Sequence, residues 1–280
     1  MPVAEMIQAP SLAFLIPTRD RPQALALTLA SVVPAAAWAG AQVLVCDQSV
    51  TPSQVPAGVR VVHRPDLSGL PAARNLLLRT SSADVVCFLD DDVDLAAQVG
   101  VQLRHLAGEE PDLLGWGPVV ETRSATIRRL HRLVHLGGFR DSRRLLSGPC
   151  DRRIRALFGC CFAIRRQAAL AIGFDQRRSG YALGEDLDFF RRLESAYGPK
   201  RLRFAACLHV AHRRDGHDRS GPRKRGLAKG AFLRWWASRH GQGDPATPLH
   251  LILALLAAAS GQGNEAASWQ GVWRGVVGSE

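Results

Sequence analysis

Three aspartates stand in a row at Asp90-Asp91-Asp92, directly after the apolar run DVVCFL (84 to 89). Adjacent carboxylates repel one another unless a cation sits among them. Oxygen ligands of this type suit Mg²⁺ or Mn²⁺ shared with a diphosphate. A solvated acidic turn is the plain alternative, and the hydrophobic run before the triplet favours metal binding over it. A second acidic group, Gly184-Glu185-Asp186-Leu187-Asp188, opens a helical pattern. Carboxylates there can cap the helix and complement its dipole, and standing alone the group would be read that way. Asp47 follows another short apolar run, where it could hold a base or ribose edge or simply make a turn. Arg74 sits one turn into a helix opened by Pro71 and could reach a phosphate or lie in solvent.

These residues need a scaffold, and the first 95 positions alternate apolar runs with helical patterns, as a βαβ sheet does. Strands are expected at Leu12 to Ile16 (stopping at Pro17), Gln42 to Cys46, Val59 to His63 and Asp84 to Leu89. The last of these is apolar throughout, like a buried parallel strand. Between them, Asp20 and Pro22 supply an N-cap and an early helical proline. The helix they open runs from Gln23 to Val33 and ends near Pro34. A second helix runs from Pro71 to about Leu78. Further on, Ala96 to Leu106 looks helical and Leu113 to Val120 extended. Residues 121 to 155 are Arg-rich and weakly periodic, an insert beside the site. Phe158 to Ile164 is ordered, a helix surrounds Gln167 to Ala171, and another runs from Glu185 to Tyr197. One or two helices end the chain.

Composition bounds the rest. The chain has 280 residues, 46% of them hydrophobic and 22% charged, enough to bury a core. Lys and Arg number 36 against 25 Asp and Glu, for a net charge of +11. Such a balance implies a polyanionic partner, whether nucleotide phosphate, anionic lipid or nucleic acid. The cysteines Cys46, Cys87, Cys150, Cys160, Cys161 and Cys207 form no CxxC pair and read as reduced, which suggests a cytoplasmic protein. Glu5 stands where a signal peptide would carry its basic region, so no signal peptide is expected. No run approaches the roughly 20 apolar residues of a membrane span. The longest candidate, Leu249 to Ala259, contains His250, so no transmembrane segment is expected.

Taken in order, the pieces resemble the family 2 glycosyltransferases, whose nucleotide-binding half has the GT-A fold. The match runs through PTRDRP (17 to 22), VLVCDQS (43 to 49), GLPAARN (69 to 75), FLDDDV (88 to 93), FGCCFAIRR (158 to 166), GFD (173 to 175) and GEDLDFFRRL (184 to 193), and then reaches His212. It covers roughly residues 11 to 215. The resemblance implies an α/β protein with a Rossmann-like, mostly parallel central sheet flanked by helices. A glycosyltransferase domain would span 1–215, with a nucleotide-binding half at 11–95 and an acceptor-side half at 96–215. A basic, helical extension would span 216–280.

Carried over position by position, Pro17, Thr18, Asp20 and Arg21 would line the nucleotide pocket. Asp47 would contact the base or ribose, and Arg74 and Asp91 would lie near the nucleotide. Asp90 and Asp92 would supply the D-x-D, with Asp92 the direct metal ligand and Asp90 also near ribose and sugar. His212 would meet the diphosphate or metal, with His209 as its alternative. Asp186 would be the catalytic base, with Glu185 beside it. Cys161 departs from the Asn that the family often carries there. The implied cofactor is Mg²⁺ or Mn²⁺ and the implied donor a nucleoside-diphosphate sugar. The acceptor would be a hydroxyl on a glycan, a lipid-linked saccharide or a small molecule.

One base and no second carboxylate nucleophile imply inversion at the anomeric carbon. The stretch holding Arg213, Arg214, Arg219, Arg223, Lys224, Arg225 and Lys229 beside Phe232, Trp235 and Trp236 could touch an anionic membrane surface. That would put the protein on the inner face of the plasma membrane, with a role in cell-envelope glycan synthesis. No nucleic-acid module accompanies the charge, so no nucleic-acid partner is expected. A nucleotidyltransferase is the alternative enzyme, although PTRDRP lacks a Gly-rich, Lys-containing phosphate cradle. A sugar-binding module without catalysis is the non-enzymatic alternative.

Overall fold

Alternate residues of a strand point to opposite faces, and in the first strand both faces are apolar. In the computed structural model, β1 (Leu12–Thr18) sends Leu12, Phe14 and Ile16 to one side, where helices α1 (Pro22–Ala39) and α3 (Val99–Glu109) cover them. Ala13 and Leu15 face the other side, under α2 (Leu70–Thr80), α4 (Arg166–Ile172) and α5 (Glu185–Tyr197). This two-sided burial explains why the strand sequence reads as continuously hydrophobic. The structure describes residues 9–118, 152–177, 182–213, 222–240 and 269–278.

The central sheet continues with β2 (Gln42–Asp47), β3 (Arg60–His63), β4 (Val85–Leu89), β6 (Gly115–Gly117), β7 (Arg152–Ile154), β8 (Cys161–Arg165) and β9 (Leu202–Phe204), in the order β3-β2-β1-β4-β8-β6-β9-β7. The β3-β2-β1-β4 half is parallel. β8 runs antiparallel to β4 and β6, β7 runs antiparallel to β9, and β6 and β9 are parallel. A separate ribbon pairs β5 (Val93–Leu95) with β10 (Val210–His212). The chain leaves β1 through α1 on one face and reaches β4 through α2 on the other. The crevice between the carboxyl ends of β1 and β4 is therefore a topological switch point, where open α/β sheets bind ligands.

Two prolines behave differently from the sequence expectation. β1 does not stop at Pro17 but pairs through Thr18, with Pro17 opposite Cys46. The carbonyl of Thr18 accepts from Gln48 on the β2 side, so residue 17 faces the β4 side. The β4 ladder ends there at Leu15, and a missing N–H breaks no bond. Likewise α1 does not end near Pro34. It runs on to Ala39 and closes on Gly40 at φ 59. Pro34 is exposed, while Val32, Ala35, Ala36 and Ala39 are buried and hold the last turns down. Gly100 permits the close crossing of α3 over α1, since a Cβ there would lie 2.7 Å from that of Ala39. Asp20 is not the N-cap either. Arg21 holds that position without a side-chain bond, and Asp20 itself sits at φ 55.

With 18 residues and a mean hydropathy of 1.3, α1 is long and apolar enough to cross a membrane, contrary to the expectation that no run comes close. Here its buried face packs on the sheet as a core helix. The expected insert at 121 to 155 lies outside the described residues up to position 151, and 152 to 154 form β7. Cys150, Arg214, Arg219 and the run from Leu249 to Ala259 also lie outside them. Cys46, Cys87, Cys160, Cys161 and Cys207 are free thiols, as expected.

The described chain forms two compact units, one of residues 9–118, 152–177 and 185–213, and another of 182–184, 222–240 and 269–278. In the second, α6 (Pro222–His240) packs on α7 (Trp269–Val277). Phe232, Trp235 and Trp236 of α6 form an aromatic cluster, with ring centroids 5.7 to 6.3 Å apart.

Candidate active site

The loop after β4 carries the three aspartates at the switch point, and they do not behave alike. Asp91 turns inward and is 5% exposed. It accepts a 2.7 Å hydrogen bond from the Thr18 hydroxyl and pairs with Arg21. Burial outweighs these partners and pushes its carboxyl up to about 6. Asp92 accepts from Arg21 at 2.9 Å through one oxygen and faces Nε2 of His212 at 3.0 Å through the other. Burial alone would raise its carboxyl. The His212 contact and the charges of Arg21 and Arg213 hold it below the ordinary carboxylate value.

His212 arrives through the ribbon. The antiparallel register sets it opposite Val93, the residue after Asp92, so the imidazole emerges beside that carboxylate. Arg213 fastens the ribbon by donating its backbone N–H to the Asp92 carbonyl and its guanidinium to the Ala24 carbonyl and the Thr28 hydroxyl. His209, the alternative, is exposed on the connecting loop. Asp90, Asp92 and His212 each offer one ligand atom, and the three atoms lie within 4.8 Å of one another. Two carboxylates and an imidazole form a donor set that fits a divalent cation such as Mn²⁺.

Asp186 belongs to the first turn of α5. Its carboxylate lies against Gly159, where a built Cβ would be 2.9 Å from Oδ2. Its charge acts on Asp90, Arg74 and Glu185. The base candidate thus shares one region with the aspartate loop, although 96 positions separate residues 90 and 186.

Arg74, expected near the nucleotide, is 1% exposed. Its guanidinium pairs with Glu185, donates to the Gly159 carbonyl at 2.7 Å and meets Asp90 at 3.4 Å. Asp47, expected at the base or ribose, is fully buried. Its two oxygens accept the backbone N–H groups of Ser49 and Ser53 at 2.9 and 2.7 Å. Burial would raise its carboxyl, but these bonds outweigh it and hold the group low. Thr18 and Pro17 end β1 at the crevice. Asp20 is exposed, and its N–H donates to the Ser49 hydroxyl. Cys161 does not line the site. It is buried on β8 against Cys87, and that contact together with burial raises its thiol well above the ordinary value.

Two residues at the site were not singled out by the sequence. Gly159 was visible only within FGCCFAIRR, where it looks like an ordinary turn residue. Glu185 stands out in the sequence only as the neighbour of Asp186. It is 5% exposed, and burial pushes its carboxyl up to about 7 against the pull of Arg74.

Comparisons with known proteins identify the family and the fold. The family model described as Glycosyl transferase family 2 matches residues 13–173. The succinoglycan biosynthesis protein ExoM of Rhizobium meliloti (strain 1021) is 31% identical over 179 residues, covering 60% of this chain and 56% of that protein. The chain therefore spans little more than half the length of that relative. The mannosyltransferase PcManGT from Pyrobaculum calidifontis, solved with GDP-Man and Mn²⁺, superposes with a TM-score of 0.55 at 16% identity, over 93% of this chain and 78% of that one. Glucosyl-3-phosphoglycerate synthase from Mycobacterium tuberculosis, solved with Mn²⁺, UDP-Glc and phosphoglyceric acid, gives 0.58 at 17% identity over 83% and 80%. At these identities the solved structures speak for the shared GT-A architecture. With the family match running from β1 into the turn after α4, and the aspartate loop inside it, the chain belongs to glycosyltransferase family 2.

Proposed function

We propose that the protein transfers a sugar from a nucleoside-diphosphate donor to a hydroxyl acceptor with inversion, using Asp186 as the base. The observation that carries this reading is the position of the Asp186 carboxylate, against Gly159 and within electrostatic reach of Asp90. A hydroxyl is a poor nucleophile, and a carboxylate beside it takes its proton as the new bond forms. Asp90, Asp92 and His212 would hold Mn²⁺ or Mg²⁺. When bound, the ion would offset charge on the departing diphosphate. The metal-bound complexes of PcManGT and glucosyl-3-phosphoglycerate synthase support this assignment. Arg21, paired with Asp91 and Asp92, adds positive charge at the same crevice.

Among the described residues, Asp186 as one base within electrostatic reach of Asp90 fits direct displacement and thus inversion. The likeness to a succinoglycan biosynthesis protein supports a growing glycan as acceptor and a role in envelope or exported polysaccharide synthesis. The excess of basic residues, 36 against 25 acidic, supports contact with an anionic membrane surface, and the free cysteines among the described residues fit a cytoplasmic setting.

The test is Asp186→Asn. Transfer should be abolished, while thermal stabilisation by Mn²⁺ with UDP- or GDP-sugars stays close to that of the parent. A variant with normal turnover would remove Asp186 from the mechanism. NMR of the first product formed reads the anomeric configuration, and retention would end the single-displacement scheme.

A further inference from the structure

We propose that Arg74 is a positioning residue, a buried fastener that sets the distance between the metal-binding carboxylates and the base. The inference rests on the transferase reading above and adds a residue that neither donates nor accepts a proton. One guanidinium reaches three separate segments. It meets Asp90 of the aspartate loop at 3.4 Å, donates to the Gly159 carbonyl at 2.7 Å and pairs with Glu185 at the start of α5. Each segment carries part of the site. Asp90 is two residues from Asp92, Gly159 is the surface against which Asp186 rests, and Glu185 is the neighbour of Asp186 in the chain.

The side chain has little freedom to leave this position. Its Cζ lies 5.6, 5.5 and 5.4 Å from the ring centroids of Phe88, Phe162 and Phe174, so aromatic faces confine the charged group in the core. At 1% exposure it cannot swing out to a substrate phosphate without breaking a buried ion pair. Among the described residues, Nε of Arg74 and Oε2 of Glu185 have no hydrogen-bond partner. The cluster therefore keeps an incompletely satisfied pair of charges in the core, a costly arrangement where an apolar pair would pack more readily. Geometry accounts for it. A planar fork holds a carboxylate, a carbonyl and a second carboxylate in fixed directions, whereas the three donors of a lysine ammonium share one rotatable nitrogen and fix no such plane.

Two variants test this. Arg74→Lys keeps the buried positive charge but loses the fork. The double variant Arg74→Met with Glu185→Leu removes both charges and leaves apolar packing, so that its fold is retained. The probes are Mn²⁺ alone, followed by its EPR signal, and turnover of whichever sugar in a UDP- and GDP-sugar panel the parent hydrolyses fastest. Both variants should remain folded and lose about 100-fold in kcat with donor KM little changed. Affinity for Mn²⁺ should fall by about tenfold, as when the support of a metal ligand is removed. A role confined to charge balance or stability predicts parental kcat in the lysine variant, and that result would overturn the proposal. So would a folded double variant with parental kcat and Mn²⁺ affinity. Asp186→Asn run in parallel separates the two ideas. If it is active, Asp186 is not the base and that part of the reading above fails. If it is inactive while both Arg74 variants turn over normally, only the fastener fails.

Discussion

Gly159 and Asp186 occupy adjoining space: a Cβ at position 159 would lie 2.9 Å from Oδ2, 3.2 Å from Cγ and 3.3 Å from Cβ of the aspartate. Asp186 is short and rooted in the first turn of a helix, so it cannot yield by swinging a long stem. The absence of a side chain at 159 is therefore part of how the carboxylate is held.

Gly159→Ala should accordingly displace the proposed base more than it disturbs the fold. A shift of several tenths of an ångström at a reacting group costs on the order of 10- to 100-fold in rate. Steady-state kinetics should show that loss in kcat, with the denaturation midpoint near that of the parent. An alanine variant with full kcat would mean that Asp186 is free to relocate without consequence.

Pro34 lies on the exposed face inside α1, where it removes one helical hydrogen bond. Pro34→Ala restores that donor at a place where no buried neighbour has to move. The expected gain is about 1 to 3 kcal/mol in urea unfolding, with turnover unchanged. Equal or lower stability would show that the helix is already adapted to its proline.

Glu185 supplies a pH signature. Its carboxyl is raised from 4.5 to about 7, so the folded protein holds this proton more tightly than the unfolded chain does. Stability from this group is present at low pH and is lost as pH rises through the window from 4.5 to about 7. Asp91, raised to about 6, acts in the same direction, whereas Asp47 and Asp84 are held low and act below 3.8. Glu185→Gln has no proton to lose, so its stability should fall less steeply across that window than the parent's. Denaturant midpoints measured at intervals of pH would reveal the difference, and parallel curves would refute it.

Much of the scaffold was legible in the sequence because local physics writes it there. Continuous apolar runs marked β1, β2 and β4, since strands buried on both faces need no polar residues. The acidic start of α5 marked its first turn, where carboxylates meet the helix dipole. The aspartate triplet pointed to a cation site because adjacent carboxylates repel one another unless a cation sits among them, with a solvated acidic turn as the plain alternative. Prolines misled the element ends at 17 and 34. Their cost depends on whether the missing N–H points at a partner, and that is a property of the sheet edge and the solvent face.

The residue types in this chain determined what the site could contain: oxygen ligands, an imidazole, a base and compensating cations. Only the tertiary structure decided which of these residues lie together. It turned Asp91 inward while leaving Asp90 and Asp92 with His212, chose His212 over His209 through the register of a three-residue ribbon, and folded Asp47 into its own loop. It also enclosed Arg74 against Glu185, 111 positions away. A side chain's chemistry is local, but its partner, burial and charge state come from distant segments brought together by packing, and no spacing along the chain encodes that distance.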